Sequence, residues 1–132
     1  MSVLHTQQWS DMIDVNLKEV LNGMAAVMPI FTRQKFGHII TIYFIANIKS
    51  FMGCGVYGVT KFAVRNLIEL TQQESATKQT NIRTTTLYPA AINSELLQSI
   101  TDATLQSMTE LYKQVGISPD GSSCKLCYRT AR

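Results

Sequence analysis

The sequence predicts an α/β domain: parallel strands with helices packed on them in layers. Three observations carry that expectation. Apolar residues recur at three and four over Thr6 to about Thr32 and again over Val56 to about Lys78, each marking one helical face. Two runs rich in β-branched residues, His38 to Ile45 and Ile82 to Tyr88, follow those helices in turn. The resulting order is helix, strand, helix, strand, then short helices, which makes a strand–helix–strand unit with a right-handed crossover and parallel pairing.

The first helix is written by Ile13, Leu17, Val20, Leu21, Met24, Val27, Met28 and Phe31, with Thr6 or Ser10 able to cap it. Pro29 has no N–H and its ring crowds the carbonyl of Ala25, so a bend or an end is expected there. "RQKFG" makes a polar turn. The run containing Ile39, Ile40, Thr41 and Ile42 has no polar alternation, which suits a strand buried on both faces. A loop with Gly53 and Gly55 leads into the second helix, whose inner side is expected to carry Phe62, Val64, Leu67, Ile68 and Thr71; "KQTN" closes it. "IRTTTLY" is the second strand, and Pro89 ends it. "NSELLQSI" and "TDATLQSMTELYKQVG" read as two short helices, capped by Asn93 or Ser94 and by Thr101 and stopped at Gly116, placed where a substrate lid would lie. Two strands are fewer than a stable α/β sheet uses, so pairing with another copy or membership of a larger fold is expected.

The chain has 132 residues, 45% of them hydrophobic and 16% charged, the composition of one globular domain. Its apolar runs are far shorter than the roughly 20 residues that span a bilayer. "MSVLHTQQW" lacks the basic-then-apolar order of a signal peptide, so the expectation is a cytoplasmic protein without a membrane anchor. The net charge of +3 sits in the tail, where Lys125, Arg129 and Arg132 have no acid beside them; the rest balances nine bases against nine acids. That distribution is not a nucleic-acid-binding surface. Cys54, Cys124 and Cys127 form no disulfide framework, and "CKLC" has no second ligand pair, so no metal site is expected.

Tyr57 and Lys61 stand one helical turn apart. Free tyrosine titrates near pH 10, so one that exchanges protons near neutrality needs its phenolate favoured, and an ammonium four residues on supplies part of that. The same spacing also describes a surface tyrosine lying over a lysine stem. Gly53 to Gly58, "GCGVYG", satisfies G-x-G-x-x-G, but the preceding strand ends well before it and the pattern contains Tyr57 itself. It reads as coincidence.

"VYGVTKFAV" after a buried strand and a glycine-bearing loop, then "NIRTTTLYPAAINSE", resembles the short-chain dehydrogenase/reductase family. "MIDVNLKEVLNGMAAVMPIFTRQKFGHIITI" is similar to the family's preceding helix and strand, and the resemblance runs over about residues 9 to 119. It implies a partial Rossmann-like three-layer fold over 1–119, followed by a basic, unstructured tail at 120–132 outside the family pattern, as though the reading frame shifted near Asp120. It also implies an NAD(P)(H)-dependent oxidoreductase acting on a small carbonyl or alcohol, with NADP the favoured form.

By the same resemblance Tyr57 falls on the acid/base and Lys61 on the residue that holds the nicotinamide ribose and lowers the tyrosine pKa. Asn16 falls on the asparagine that helps hold a relay water. Pro89, Ala90, Ile92 and Ser94 fall on the loop beside the cofactor. The departures are equally specific. The family's catalytic serine position is Phe44, which offers no hydrogen bond to a carbonyl. Its neighbour Tyr43 points to the other side of the strand. The usual Pro-Gly pair is Pro89–Ala90, and Ile-Ala-Gly is Ile45-Ala46-Asn47. The family's glycine turn over the pyrophosphate precedes a helix like the first one here and has no counterpart in the chain. Independent activity is therefore expected to be weak or absent. The alternatives are a non-catalytic fragment that self-associates through helices 9–32 and 56–78, as the family does, and a half-enzyme completed by a separate nucleotide-binding chain.

Overall fold

The computed structural model describes residues 5–43, 55–89, 92, 110, 113, 114, 116 and 127–130. The predicted order of helix, strand, helix and strand is present. The first helix is built from α1 (Thr6–Ile13), a π-helical turn (Asp14–Lys18) and α2 (Glu19–Gln34); β1 (Gly37–Ile42), α3 (Gly55–Lys78) and β2 (Ile82–Tyr88) follow. β1 and β2 pair in parallel, in register from Gly37 with Ile82 to Ile42 with Leu87, and the Tyr43 N–H extends the ladder by donating to the Leu87 carbonyl at 2.8 Å. The two short helices expected after Pro89 lie outside the described residues apart from helical backbone at Glu110, Lys113 and Gln114.

The helix that carries Pro29 does not end there; it runs on to Gln34. One missing backbone hydrogen bond is tolerated because the flanking turns keep theirs. The end comes at Lys35, which takes a left-handed conformation (φ 56°) while its own N–H and that of Phe36 both reach the Phe31 carbonyl. Gly37 follows with the Phe31 ring packed so closely over its backbone that a β-carbon there would collide with it. At the other end, neither Thr6 nor Ser10 caps: His5 is the capping residue, and no side-chain hydrogen bond closes that terminus.

The core is small. Tyr43, Val64 and Ile68 are buried together, with Leu17, Val20, Met24, Ile39 and Tyr88 packed against them. The buried stripe of α3 is Thr60, Val64, Ile68, Thr71 and Ser75. Val64, Ile68 and Thr71 were expected inside, but Phe62 is 39% exposed and Leu67 is only half-buried. Three of the five inner positions carry hydroxyls, and these fit because each is hydrogen-bonded. Thr60 donates to the Tyr57 carbonyl and Thr71 to the Leu67 carbonyl, both at 2.8 Å. Ser75 Oγ accepts from the Thr80 hydroxyl and from the Ile82 N–H, both at 2.9 Å, so one buried hydroxyl joins the end of α3 to the start of β2. Gln79 and Asn81, both at positive φ, make the turn between them.

The sheet is covered on one face by helices. On the other, among the described residues, β1 is open: Ile40 is 59% and Ile42 67% exposed. This corrects the expectation of a strand buried on both sides. A continuous β-branched run does suit two buried faces, but the second is buried only where another layer covers it. Among the described residues β1 is also an edge strand, since the sheet order is β1-β2-β3. The third strand, β3 (Cys127–Thr130), is a further difference, because it lies in the tail expected to be without structure. It pairs antiparallel with β2, from Tyr88 with Cys127 to Thr85 with Thr130. Four residues can be held there by backbone pairing to the free edge of β2, which asks for no side-chain pattern.

Candidate functional site

Tyr57 lies in the first turn of α3 and Lys61 one turn on, where the i, i+4 geometry stacks one side chain over the other. The Lys61 ammonium sits over the Tyr57 ring, 5.5 Å from its centroid, a cation on the negative face of the aromatic system. Both residues are half-buried. Burial also lowers the pKa of Lys61 below its ordinary 10.5, because the ammonium has given up part of its hydration. A partly desolvated cation acts on a neighbouring phenol through a lower effective dielectric than one in bulk water.

Asn16 reaches this pair from the first helix. It sits in the π-helical turn, which admits one extra residue to the helical repeat and is a form concentrated at functional sites. Its side-chain amide donates to the Thr60 hydroxyl at 3.4 Å, and Thr60 donates to the carbonyl of Tyr57. Three predicted site residues, Asn16, Tyr57 and Lys61, are thus brought together across two helices. Thr60, the link, escaped the sequence reading. The available signal was a hydroxyl at the position before the lysine, which pattern alone does not separate from any helical threonine.

Tyr43 is placed elsewhere. It is buried, and its ring stacks on Tyr88 with centroids 5.6 Å apart and planes at 29°. Burial first, then the neighbouring Tyr88 and the Glu69 charge, raise its phenol well above the ordinary value, against a smaller opposing effect of Arg65. Arg65 and Glu69 lie about 12 and 18 Å along α3 from Tyr57, by the rise of 1.5 Å per residue. Tyr43 is therefore a protonated core residue, not a stand-in for the serine hydroxyl. Phe44, which occupies that serine position, lies outside the described residues, as do Ala90 and Ser94. Pro89 follows β2 and is half-buried; Ile92 is half-buried and forms a single β-bridge.

Tyr57 and Lys61 present a hydroxyl and a cation of the kind that binds a ribose diol, so they fit the nicotinamide end of a dinucleotide. Among the described residues no strand runs through a glycine turn into a helix N-terminus, the arrangement that holds a pyrophosphate. No three His, Cys, Asp or Glu side chains gather to hold a metal among those residues.

The sequence profile described as short chain dehydrogenase matches residues 1–105. An uncharacterized oxidoreductase of Listeria monocytogenes is 54% identical over 129 residues, covering 97% of this chain and 52% of the relative. An uncharacterized oxidoreductase of Staphylococcus saprophyticus is 44% identical over 122 residues, covering 92% and 49%. The chain therefore spans about half the length of the curated relatives it matches. The Listeria alignment leaves only a few residues of the chain outside it, so it extends into the segment after residue 119 that the sequence pattern set apart.

Among solved structures, a gluconate 5-dehydrogenase from Burkholderia cenocepacia in complex with NADP and tartrate superposes with a TM-score of 0.69 at 25% identity, over 81% of this chain and 42% of that one. A protein from Novosphingobium aromaticivorans shares the fold with a TM-score of 0.62 at 21% identity, over 92% of this chain and 47% of that one. The profile match over most of the chain, and parallel strands that superpose on Rossmann-like dehydrogenases, establish that the chain belongs to the short chain dehydrogenase family.

Proposed function

We propose that this chain carries the proton-transfer side of an NAD(P)(H)-dependent oxidoreductase acting on a small carbonyl or alcohol. The observation that carries the reading is the Lys61 ammonium held over the Tyr57 ring, with Asn16 tied to the same turn through Thr60. A bound reduced nicotinamide would supply the hydride to the carbonyl carbon. Tyr57 Oη gives its proton to the carbonyl oxygen as the C=O bond becomes an alcohol, and Lys61 stabilises the phenolate left behind. In the oxidative direction Tyr57 takes the proton back. Asn16 helps hold the water from which Tyr57 is reprotonated, and the family resemblance assigns Pro89, Ala90, Ile92 and Ser94 to the loop beside the cofactor. NADP is the favoured form, in keeping with the dinucleotide held by the Burkholderia structure. A cytoplasmic location belongs to the same reading, and no helix among the described residues is long and apolar enough to cross a membrane.

Phe44 at the serine position removes one hydrogen-bond donor to the substrate, a loss of about 10² to 10³ in rate by analogy with oxyanion-hole donors. Among the described residues no glycine turn is placed to grip the pyrophosphate. The 132-residue chain by itself is therefore expected to turn over weakly or not at all. Titration with millimolar NADPH should leave nicotinamide fluorescence unchanged. Mixing the chain with the nucleotide-binding half of the Listeria relative should produce ketone reduction that Tyr57→Phe abolishes. Fast turnover by the chain alone would refute the weak-activity reading, and turnover indifferent to Y57F would refute the acid/base role.

A second reading, self-association without catalysis, is favoured by one observation. Both long helices present large apolar side chains to solvent: Val15, Leu21 and Ile30 on the first, Val59, Phe62 and Leu70 on α3. An apolar area of that kind is normally covered by a partner, and a second copy is the partner proposed.

A further inference from the structure

The side chain most completely withdrawn from solvent among the described residues is neither aliphatic nor aromatic. It is Thr60, 1% exposed, and its hydroxyl lies between the π-helical turn of the first helix and the first turn of α3. A threonine whose hydroxyl bonds back to a carbonyl of its own helix is ordinary. One whose oxygen also receives a side chain from a position 44 residues away is not.

We infer that Thr60 is a positioning residue, a clasp that sets the orientation of the Asn16 amide and holds the π-helical turn against the turn carrying Tyr57. The inference rests on the oxidoreductase reading for its meaning but not for its test. Donor and acceptor roles determine the polarity. The Tyr57 carbonyl can only accept, so Thr60 must spend its single hydrogen there, at 2.8 Å. Its oxygen is then an acceptor. Asn16 can meet an acceptor only with its NH₂ group, which places that group toward Thr60 at 3.4 Å and leaves its Oδ1 on the other side.

A free asparagine amide rotates between two nearly isosteric orientations; here one hydroxyl selects between them. The same contact opposes relaxation of the π-helical turn into regular α-helix, because that change would rotate Asn16 around the helix axis by up to about 100° and remove it from Thr60. Asn16 and the turn that carries Tyr57 are thus joined through a group that itself never needs to touch substrate.

The test uses the 132-residue chain without cofactor or substrate, so it succeeds or fails separately from the catalytic reading. Hydrogen exchange is followed by nuclear magnetic resonance at the Asn16 side-chain amide and at the backbone amides of Asp14 to Lys18. Thr60→Val keeps the shape and removes the hydroxyl. It should speed exchange at both places about fivefold or more, the factor a single net hydrogen bond supplies, and shift the Asn16 amide resonances. Thr60→Ser should restore the wild-type values.

Should T60V not fold, Asn16→Leu removes the amide from the other partner without offering the Thr60 hydroxyl a new acceptor, and should accelerate backbone exchange of Asp14 to Lys18 alike. The inference is overturned by a T60V or N16L chain that folds with unchanged exchange in the π-helical turn. It is equally overturned if T60S departs as far as T60V, which would mean that packing, not the hydroxyl, matters.

Discussion

At Lys61 burial works against the fold. Burial lowers its pKa below 10.5, so the charged form is disfavoured in the folded chain relative to the unfolded one. Between the lowered value and 10.5 the unfolded chain binds more protons, and stability therefore rises with pH across that window. Below the window the cost of holding the ammonium is constant. Lys61→Met removes the titration: the alkaline rise in stability should flatten, and the neutral-pH denaturation midpoint should stay level or increase, while Tyr57 loses its cation. Urea titrations at several pH values check this, and a variant much less stable at neutral pH would show the ammonium to be a net stabiliser. Tyr57 and Lys61 were legible in the sequence because a fixed spacing on a helix determines that two side chains meet. Thr60 was not, because its place depends on what another element brings to it, whereas the alternation of side chains along a strand already turned Tyr43 away from the serine position.

At the scale of elements, the junction between α3 and β2 turns on one hydroxyl. Ser75 Oγ accepts from both Thr80 and the Ile82 N–H inside the protein. Ser75→Ala leaves a buried backbone donor without its acceptor and should cost about 1 to 3 kcal/mol, read as a lower urea midpoint with an unchanged slope. A change below about 0.5 kcal/mol, the range of ordinary surface substitutions, would mean that water replaces the serine. β2 occupies the residues expected, Ile82 to Tyr88, since β-branched runs bounded by a turn and a proline have few other options. The inner stripe of α3 was less legible. Thr60, Thr71 and Ser75 count as polar in any periodicity, yet a hydroxyl bonded within the protein buries much as a small apolar group does. The π-helical turn left no mark in the pattern, for it is held by contacts with α3. By contrast, the exposed ion pairs Lys18–Asp14, Arg65–Glu69 and Lys78–Glu74 were implicit in their i, i+4 spacing, and add little.

At the scale of the molecule, apolar surface remains uncovered, among the described residues, on the outer helix faces and on the open face of β1. Sedimentation at tens of micromolar should show association beyond the monomer. If the helices carry it, Val59→Lys should weaken association more than Ile42→Lys; both side chains are exposed, so neither change disturbs the packed core. The reverse order would move the interface to the sheet, and a monomer under these conditions would remove it altogether.

The sequence by itself determined the α/β class, the succession of elements and the pairing of Tyr57 with Lys61, because these follow from periodicity and short-range spacing along one chain. Only the tertiary structure decided which sheet face is covered, that the tail adds β3, and that Asn16 meets Thr60. Those outcomes depend on contacts between segments far apart in the chain, and local pattern carries no information about them.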